Sequence, residues 1–229
     1  MEAHKLFFIH PALDNVERLV VFENFDQRYP PNLPYCEPLR TAPPIVSRSV
    51  GRASLRLKHL SGAFIVDASD VFLGASREPS WAWPNLTTLA LTSRLLAPDA
   101  DSGAVDGMLV AAATAARRMP KLETMEIWNG REGLAGLFRY RSARRGRTAG
   151  ISWRGTWDLA LGEDVIQAWE TVANMYRRGG LVVVKEKVMD AKIRFHGDAI
   201  HHLGLEAQVV RPVSLYQMRM ERDIREGNA

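Results

Sequence analysis

The sequence predicts an α/β fold, a curved and mainly parallel sheet with helices on its outer side, and three features predict it. Four segments share the spacing apolar-x-x-apolar-x-apolar: Val16-x-x-Leu19-x-Val21, Leu57-x-x-Leu60-x-Gly62, Leu86-x-x-Leu89-x-Leu91 and Leu122-x-x-Met125-x-Ile127, with Gly62 the weak member. Two other stretches carry apolar residues at helical spacing. Leu181 to Val184 is an uninterrupted apolar run, as in a strand covered on both faces.

Along the chain, the first strand falls at Val16 to Val21. Half of the 12 prolines then crowd together as Pro30, Pro31, Pro34, Pro38, Pro43 and Pro44. Each ring removes a backbone donor and pushes its predecessor into extended geometry. Residues 26–50 are therefore expected as a long surface excursion inserted in a single domain that spans 1–229. After the strands at Leu57 and Leu86, Val105, Met108, Leu109, Ala112, Ala116 and Met119 share one side of a helix over 103–119. Asp101 or Ser102 is available to cap it and Pro120 to stop it. Beyond the strand at Leu122, Gly150 to Leu159 alternates as a strand carrying Trp153 and Trp157.

Val165, Ile166, Trp169, Val172, Ala173 and Tyr176 form a second helical stripe. Glu163 and Asp164 open it, and Arg177, Arg178, Gly179 and Gly180 close it, each charge placed to suit the helix dipole. Ala199 to Val210 and Ser214 to Glu221 read as short strands. In leucine-rich repeats the shared spacing makes a short strand whose alternate residues enter a solenoid core. The four segments start 41, 29 and 36 residues apart, so an irregular leucine-rich-repeat-like solenoid is expected. The competing reading is that any half-buried strand entered through a turn can match so short a pattern.

A hydrophobic content of 46% and a charged content of 24% suit a folded chain and exclude disorder, collagen and coiled coil. A single cysteine, Cys36, forbids an intrachain disulfide and points to a reducing compartment, cytoplasm or nucleus. The first apolar stretch, Leu6 to Ile9, is shorter than a signal-peptide core, the longest, Gly107 to Ala116, is shorter than a membrane span, and Asn85-Leu86-Thr87 reads as part of a strand rather than a glycosylation acceptor. Net charge is +4. Residues 1–120 hold 12 basic and 12 acidic side chains and residues 121–229 hold 18 and 14, so the second half carries the excess. Arg139, Arg141, Arg144, Arg145, Arg147 and Arg154 come with no acidic residue among them, which reads as a basic surface loop.

Three clusters are candidates for chemistry. His196-Gly197-Asp198-Ala199-Ile200-His201-His202 holds nitrogen and oxygen donors of the kind that bind zinc or iron, with His196, Asp198, His201 and His202 as possible ligands. A strand over 199–205 would send His201 and His202 to opposite faces, and Gly197-Asp198 also reads as a turn, so a structural role competes with a metal site. Trp128-Asn129-Gly130 and Trp153-Arg154-Gly155-Thr156-Trp157-Asp158 place large aromatics and polar groups just past strand ends, as in binding hot spots. Tryptophans that merely cap a core are the alternative. The arginine-rich segment, with Phe138, Tyr140 and Trp153 near it, could contact phosphates and stack on bases. G-x-S-x-G, H-E-x-x-H and G-x-x-x-x-G-K are absent from the sequence and Cys36 has no histidine near it, so no enzyme and no cofactor is nominated.

Several strings resemble a known family: Leu57-Lys58-His59-Leu60-Ser61, Val66-Asp67-Ala68, Trp83-Pro84-Asn85-Leu86 through Leu89-Ala90-Leu91-Thr92-Ser93, Met119-Pro120-Lys121-Leu122 through Trp128-Asn129-Gly130, Ile151-Ser152-Trp153 through Trp157, and His196 to His202. They resemble the carboxy-terminal region of a large family of fungal F-box proteins of uncharacterised function, over roughly residues 12–221. The resemblance implies a leucine-rich-repeat-like domain that presents a surface to a protein partner, the substrate-selecting half of an adaptor of a cullin-type ubiquitin ligase. No helical F-box precedes the repeats here, so the chain reads as a fragment or a stand-alone relative, and ligase docking would need an F-box upstream. The expected function is a non-enzymatic protein-interaction domain with Trp128, Asn129, Arg154, Trp157, Arg144, Arg145 and Arg147 as contact residues. A nucleic-acid-binding protein using 139–154 and a metal-dependent enzyme at His196, Asp198 and His201 are the alternatives.

Overall fold

The computed structural model describes residues 15–24, 41–144, 146–176, 179–188 and 192–227. Seven strands form one sheet in chain order: β1 (Arg18–Phe22), β2 (His59–Ala63), β3 (Thr88–Thr92), β4 (Thr124–Arg131), β5 (Leu134–Arg141), β6 (Ala149–Gly155) and β7 (Leu181–Lys187). β1 to β4 run parallel, as do β6 and β7, while β5 is antiparallel to both of its neighbours. The helices are α1 (Pro44–Ala53), α2 (Ala68–Arg77), α3 (Ser102–Ala116), α4 (Glu163–Tyr176), α5 (His196–Leu203) and α6 (Pro212–Arg225).

The four segments of shared spacing are adjacent strands, and their second apolar positions stand opposite one another as Leu19, Leu60, Leu89 and Met125. The first position of the second, third and fourth segments, Leu57, Leu86 and Leu122, precedes its strand and is buried. Side chains alternate across a strand, so Leu60, Leu89, Leu91, Met125 and Ile127 share one face. There they meet α1 to α4 in the main core, joined by Phe138, Tyr140, Ile151 and Trp153. Asp101 caps α3 as expected, its Oδ2 accepting from Ala104 N at 2.8 Å.

Consecutive units are tied together at the exit of the strands. The buried Asp67 carboxylate accepts from Ser69 N (2.9 Å), Ser69 Oγ (2.7 Å), Ser93 Oγ (2.9 Å) and Arg94 N (3.0 Å), and Asp67 N donates to Ser47 Oγ of α1 (3.0 Å). One side chain therefore caps α2 and holds the loops around it. Phe64, just after β2, adopts φ +64°, rare for a bulky residue. Its N–H donates to Thr92 Oγ1 at 2.8 Å, which in turn donates to Val66 O at 3.0 Å.

Several expectations are corrected. Residues 41–50 are not part of an excursion: Pro43 is the N-cap and Pro44 opens α1, whose Val46 and Val50 are buried. A proline at the first helical position lacks an N–H that would have had no intrahelical partner anyway. The rest of the expected excursion, 26–40, lies outside the described residues. The arginine-rich segment read as a basic surface loop is largely strand: Arg139 and Arg141 belong to β5 and Arg154 to β6, and the chain reverses into β5 at Glu132 and Gly133, the latter at φ +72°. Val182, Val183 and Val184 were expected to be covered on both faces, yet they are 49%, 39% and 41% exposed, because β7 is the last strand of the sheet.

The candidate strands at 199–210 and 214–221 are replaced by the helices α5 and α6. Ala199, Ile200 and Leu203 have helical spacing, and Gly204 ends α5 in the left-handed conformation at φ 61°. The period-two alternation of Leu205, Ala207 and Val209 falls in the irregular segment after it. Nor do all helices lie on one side. α5 packs on the opposite sheet face, where Ala199, Ile200 and Leu203 join Ala63, Ala90, Trp128, Ala135 and Leu137 in a second core.

Beside that second core sits Glu126, with no exposed surface. Its Oε1 accepts from Arg139 Nε at 2.7 Å and Glu206 N at 2.9 Å, and its Oε2 from Ala207 N at 3.0 Å. Arg139 reaches on to Gly204 O at 2.5 Å. Removing one member of a buried ion pair strands the other charge. Glu126→Ala is therefore expected to lower unfolding stability by about 3–5 kcal/mol in urea denaturation; a loss near zero would show that Arg139 finds water instead.

Candidate functional site

On the sheet face opposite α1 to α4, the segment after α5 and then α6 lie across from β1 and leave a groove of about 710 Å³. The alternation of β1 sends Arg18, Val20 and Phe22 into it, with Asn24 beyond the strand end. Pro212 starts α6, and the helical period then brings Ser214, Gln217, Met218 and Glu221 to the groove side. Gln208, Val210 and Arg211 complete the wall, and Arg18 Nη1 donates to Gln208 Oε1 at 3.3 Å. The volume is in the range of ligand clefts, about 300–1,000 Å³, and the lining mixes apolar side chains with amides and both signs of charge.

One end of the groove rests on an aromatic cluster. His196, 1% exposed, is ringed by Phe22, Phe64 and Phe195 with centroids 5.7, 5.2 and 5.3 Å away, and Phe64 stands edge-on to Trp128 at 5.2 Å. A hydrogen bond of 2.9 Å joins His196 Nε2 to Asn24 Oδ1. α6 is held to this base by charge. Arg194 donates to Asp198 through its backbone N (3.1 Å), Nε (2.9 Å) and Nη2 (3.2 Å), and it also pairs with Asp223 and Glu226 of the α6 end. Arg219 of α6 approaches Asp198 Oδ1 at 3.4 Å, and the Arg222 guanidinium lies 5.7 Å over the Phe195 ring.

These contacts involve the candidate metal ligands, for which a structural role was the competing reading. His196 to His202 lie on helix α5, with His196 turned into the aromatic cluster, Asp198 committed to arginines, and His201 and His202 beside each other at 5.1 Å. Among the described residues no three His, Cys, Asp or Glu side chains are gathered to hold a metal ion.

The expected contact patch is also dispersed. Trp128 has no exposed surface and belongs to the second core, whereas Trp157 packs on Trp153 at 4.8 Å against the main core on the other side of the sheet. Trp153 Nε1 donates to Trp157 O at 3.0 Å, the local satisfaction expected of tryptophans that cap a core. Asn129 is spent on its own surroundings, donating to Leu96 O at 3.0 Å and accepting from Gly130 N at 2.9 Å. The run of arginines finds carboxylates from other elements: Arg139 pairs with Glu126, Arg141 with Glu206, Arg144 with Glu123 and Arg154 with Glu186. Arg144 and Arg147 exchange backbone hydrogen bonds of 3.0 and 2.8 Å in the β5–β6 connection, and Arg145 lies outside the described residues. The groove residues went unnoticed in the sequence; the alternation of Arg18, Val20 and Phe22 was the available signal.

Residues 10–211 match a family of unknown function, DUF6546. The chain belongs to this family. No curated protein and no solved structure matches it. The DUF6546 match takes in the whole sheet and α1 to α5 and reaches Arg211 in the groove wall, so α6 lies beyond the matched residues. Among the described residues no helix is long and apolar enough to cross a membrane.

Two outcomes test this geometry. Burial raises the Asp198 pKa, but the hydrogen bonds and charge of Arg194, with Arg219, outweigh it and hold Asp198 below its ordinary value. A depressed native pKa gives stability that is complete above about pH 4 and is lost as pH falls through the native value. Asp198→Asn should lose about 2 kcal/mol at pH 7 and flatten the acid limb of stability measured by denaturation; an unchanged pH profile would refute the assignment. Trp128→Ala should cost about 3–5 kcal/mol by thermal or urea unfolding, and a variant as stable as the parent would mean that Trp128 is not buried.

Proposed function

We propose that the chain is a non-enzymatic protein-interaction domain of irregular leucine-rich-repeat-like build, the recognition half of an F-box-type adaptor. The observation that carries this reading is the register of Leu19, Leu60, Leu89 and Met125, which lines up the shared spacing in successive strand–helix units with α1, α2 and α3 stacked on one side. In repeat proteins of this kind the strand face opposite the helices is the one that meets ligands. Here that face bears the groove between β1 and α6, and the proposed contact residues are Arg18, Val20, Arg211, Gln217 and Glu221. The adaptor role rests on the tryptophan-containing strings that resemble fungal F-box proteins, and docking to a ligase would need F-box helices as well.

The nucleic-acid alternative draws less support, since Arg139, Arg141, Arg144 and Arg154 are each paired with a glutamate. Affinity capture with mass spectrometry decides between them. Proteins held by the parent chain should be lost from Val20→Glu and Gln217→Arg variants and kept by an Arg144→Gln, Arg147→Gln double variant. Capture that survives both groove substitutions would refute the groove, and recovery of RNA that depends on Arg144 and Arg147 would refute the protein-interaction reading.

A further inference from the structure

On the helix side of the sheet, across from the groove, a second cleft of about 330 Å³ opens where three pieces of chain meet. They are the approach to β4 (Lys121 and Glu123), the end of β5 with its following turn (Tyr140, Ser142 and Arg144), and the end of α4 (Tyr176). Tyr140 is 2% exposed and its ring lies 4.7 Å from that of Trp169, while its hydroxyl makes no hydrogen bond among the described residues and is not sealed from solvent. That leaves its O–H as a donor open to the cleft. Burial, with Tyr176 adding to it, pushes the phenol up to about 12, so the group stays protonated and offers a donor at any physiological pH.

The other polar groups of the cleft are mostly donors as well. The Ser142 hydroxyl makes no hydrogen bond among the described residues. Lys121 gives one N–H to Asn85 Oδ1 at 2.7 Å and Arg144 one to Glu123, which leaves further N–H groups on both cations. Glu123 is the one carboxylate of the lining and is already matched by Arg144. The carbonyl ends of α3 and α4 weigh against an anion; on α3 the Arg117 carbonyl is covered by a 2.6 Å hydrogen bond from Tyr176 Oη, and at α4 the Lys121 and Arg144 cations stand in the same lining.

We propose that this cleft binds a small molecule bearing an oxyanion, a carboxylate or a phosphate, with the Tyr140 and Ser142 hydroxyls donating from its floor and Lys121 and Arg144 from its rim. The size suits a small ligand rather than a polymer. It also gives a use to the cationic surface left over from the arginine-rich segment. The site stands apart from the groove, on the other face of the sheet, and neither depends on the other.

The test is a nitrogen-15 chemical-shift titration of the full chain with inorganic phosphate and, separately, with citrate. Saturable shifts are expected at the amides of Lys121, Glu123, Tyr140, Ser142 and Arg144, with the tighter probe telling a phosphate from a carboxylate ligand. Tyr140→Phe, which keeps the ring and removes only the hydroxyl, should weaken binding about tenfold, and Arg144→Gln should do at least as much. Arg147→Gln, in the same connection but not lining the cleft, should bind as the parent does. Absence of saturation with both probes, shifts centred elsewhere, or equal affinity in Tyr140→Phe would overturn the proposal. Should Tyr140→Phe fail to fold, the exposed Arg144 decides: unchanged binding in Arg144→Gln overturns the site and weakened binding supports it.

Discussion

A carboxylate without exposed surface has few places to exist in a protein, and Glu126 sits in the middle of a sheet face. Taking such a charge out of water costs several kcal/mol unless its oxygens are met by donors. Glu126 meets three: the guanidinium of Arg139 on the adjacent, antiparallel β5, and the backbone amides of Glu206 and Ala207. The two amides are the consequential ones, because they fix where the chain must pass after α5. With Arg139 also holding Gly204 O, and Glu206 turned back onto Arg141 and Thr124, the whole return segment is pinned across β4 and β5. α6 follows only a few residues later, so the wall of the groove is set by a buried charge some distance from it.

This dependence explains what could and could not be read from the residues in order. Strands β2, β3 and β4 were legible because their pattern is local: an apolar residue before the strand and alternation within it. α3 and α4 were legible through caps and a period near four. α1 was concealed by chemistry that cuts both ways, since a proline that breaks a helix from inside begins one from the first position. α5 and α6 were hidden by short stretches in which helical and alternating spacings overlap. The arginines misled most. Their partners Glu123, Glu126, Glu186 and Glu206 come from other strands and from the return segment, and no spacing along the chain records that. Trp128 likewise looks like a binding residue until α5, some seventy residues later, is seen to cover it.

The sheet itself has two regimes. From β1 to β4 every connection is long enough for a crossover, each carries a helix, and the strands run parallel. At Glu132 and Gly133 the chain turns straight back, so β5 can only be antiparallel and no helix accompanies it. That interruption places β4 and β5 at the centre with unusually long strands, and it is on these two that α5 packs. The helix-free connection also leaves room on the other face at the β5 end, between the approach to β4 and the end of α4, where the second cleft lies.

Strand β5 thus serves both faces through the period of two that any strand imposes. Arg139 points to the return segment and completes the ion pair on which the groove wall depends, while its neighbour Tyr140 points to the helix layer and lines the cleft. The two side chains differ in what they lack. Arg139 has its charge matched by Glu126 and a further donor matched by Gly204 O, so it is a structural residue despite its chemistry. Tyr140 has its ring packed and its hydroxyl open to the cleft, without a hydrogen-bond partner among the described residues, so its packing is complete while its hydrogen bonding is not. In a folded chain that difference, rather than residue type, separates side chains that hold the architecture from those still able to meet a ligand.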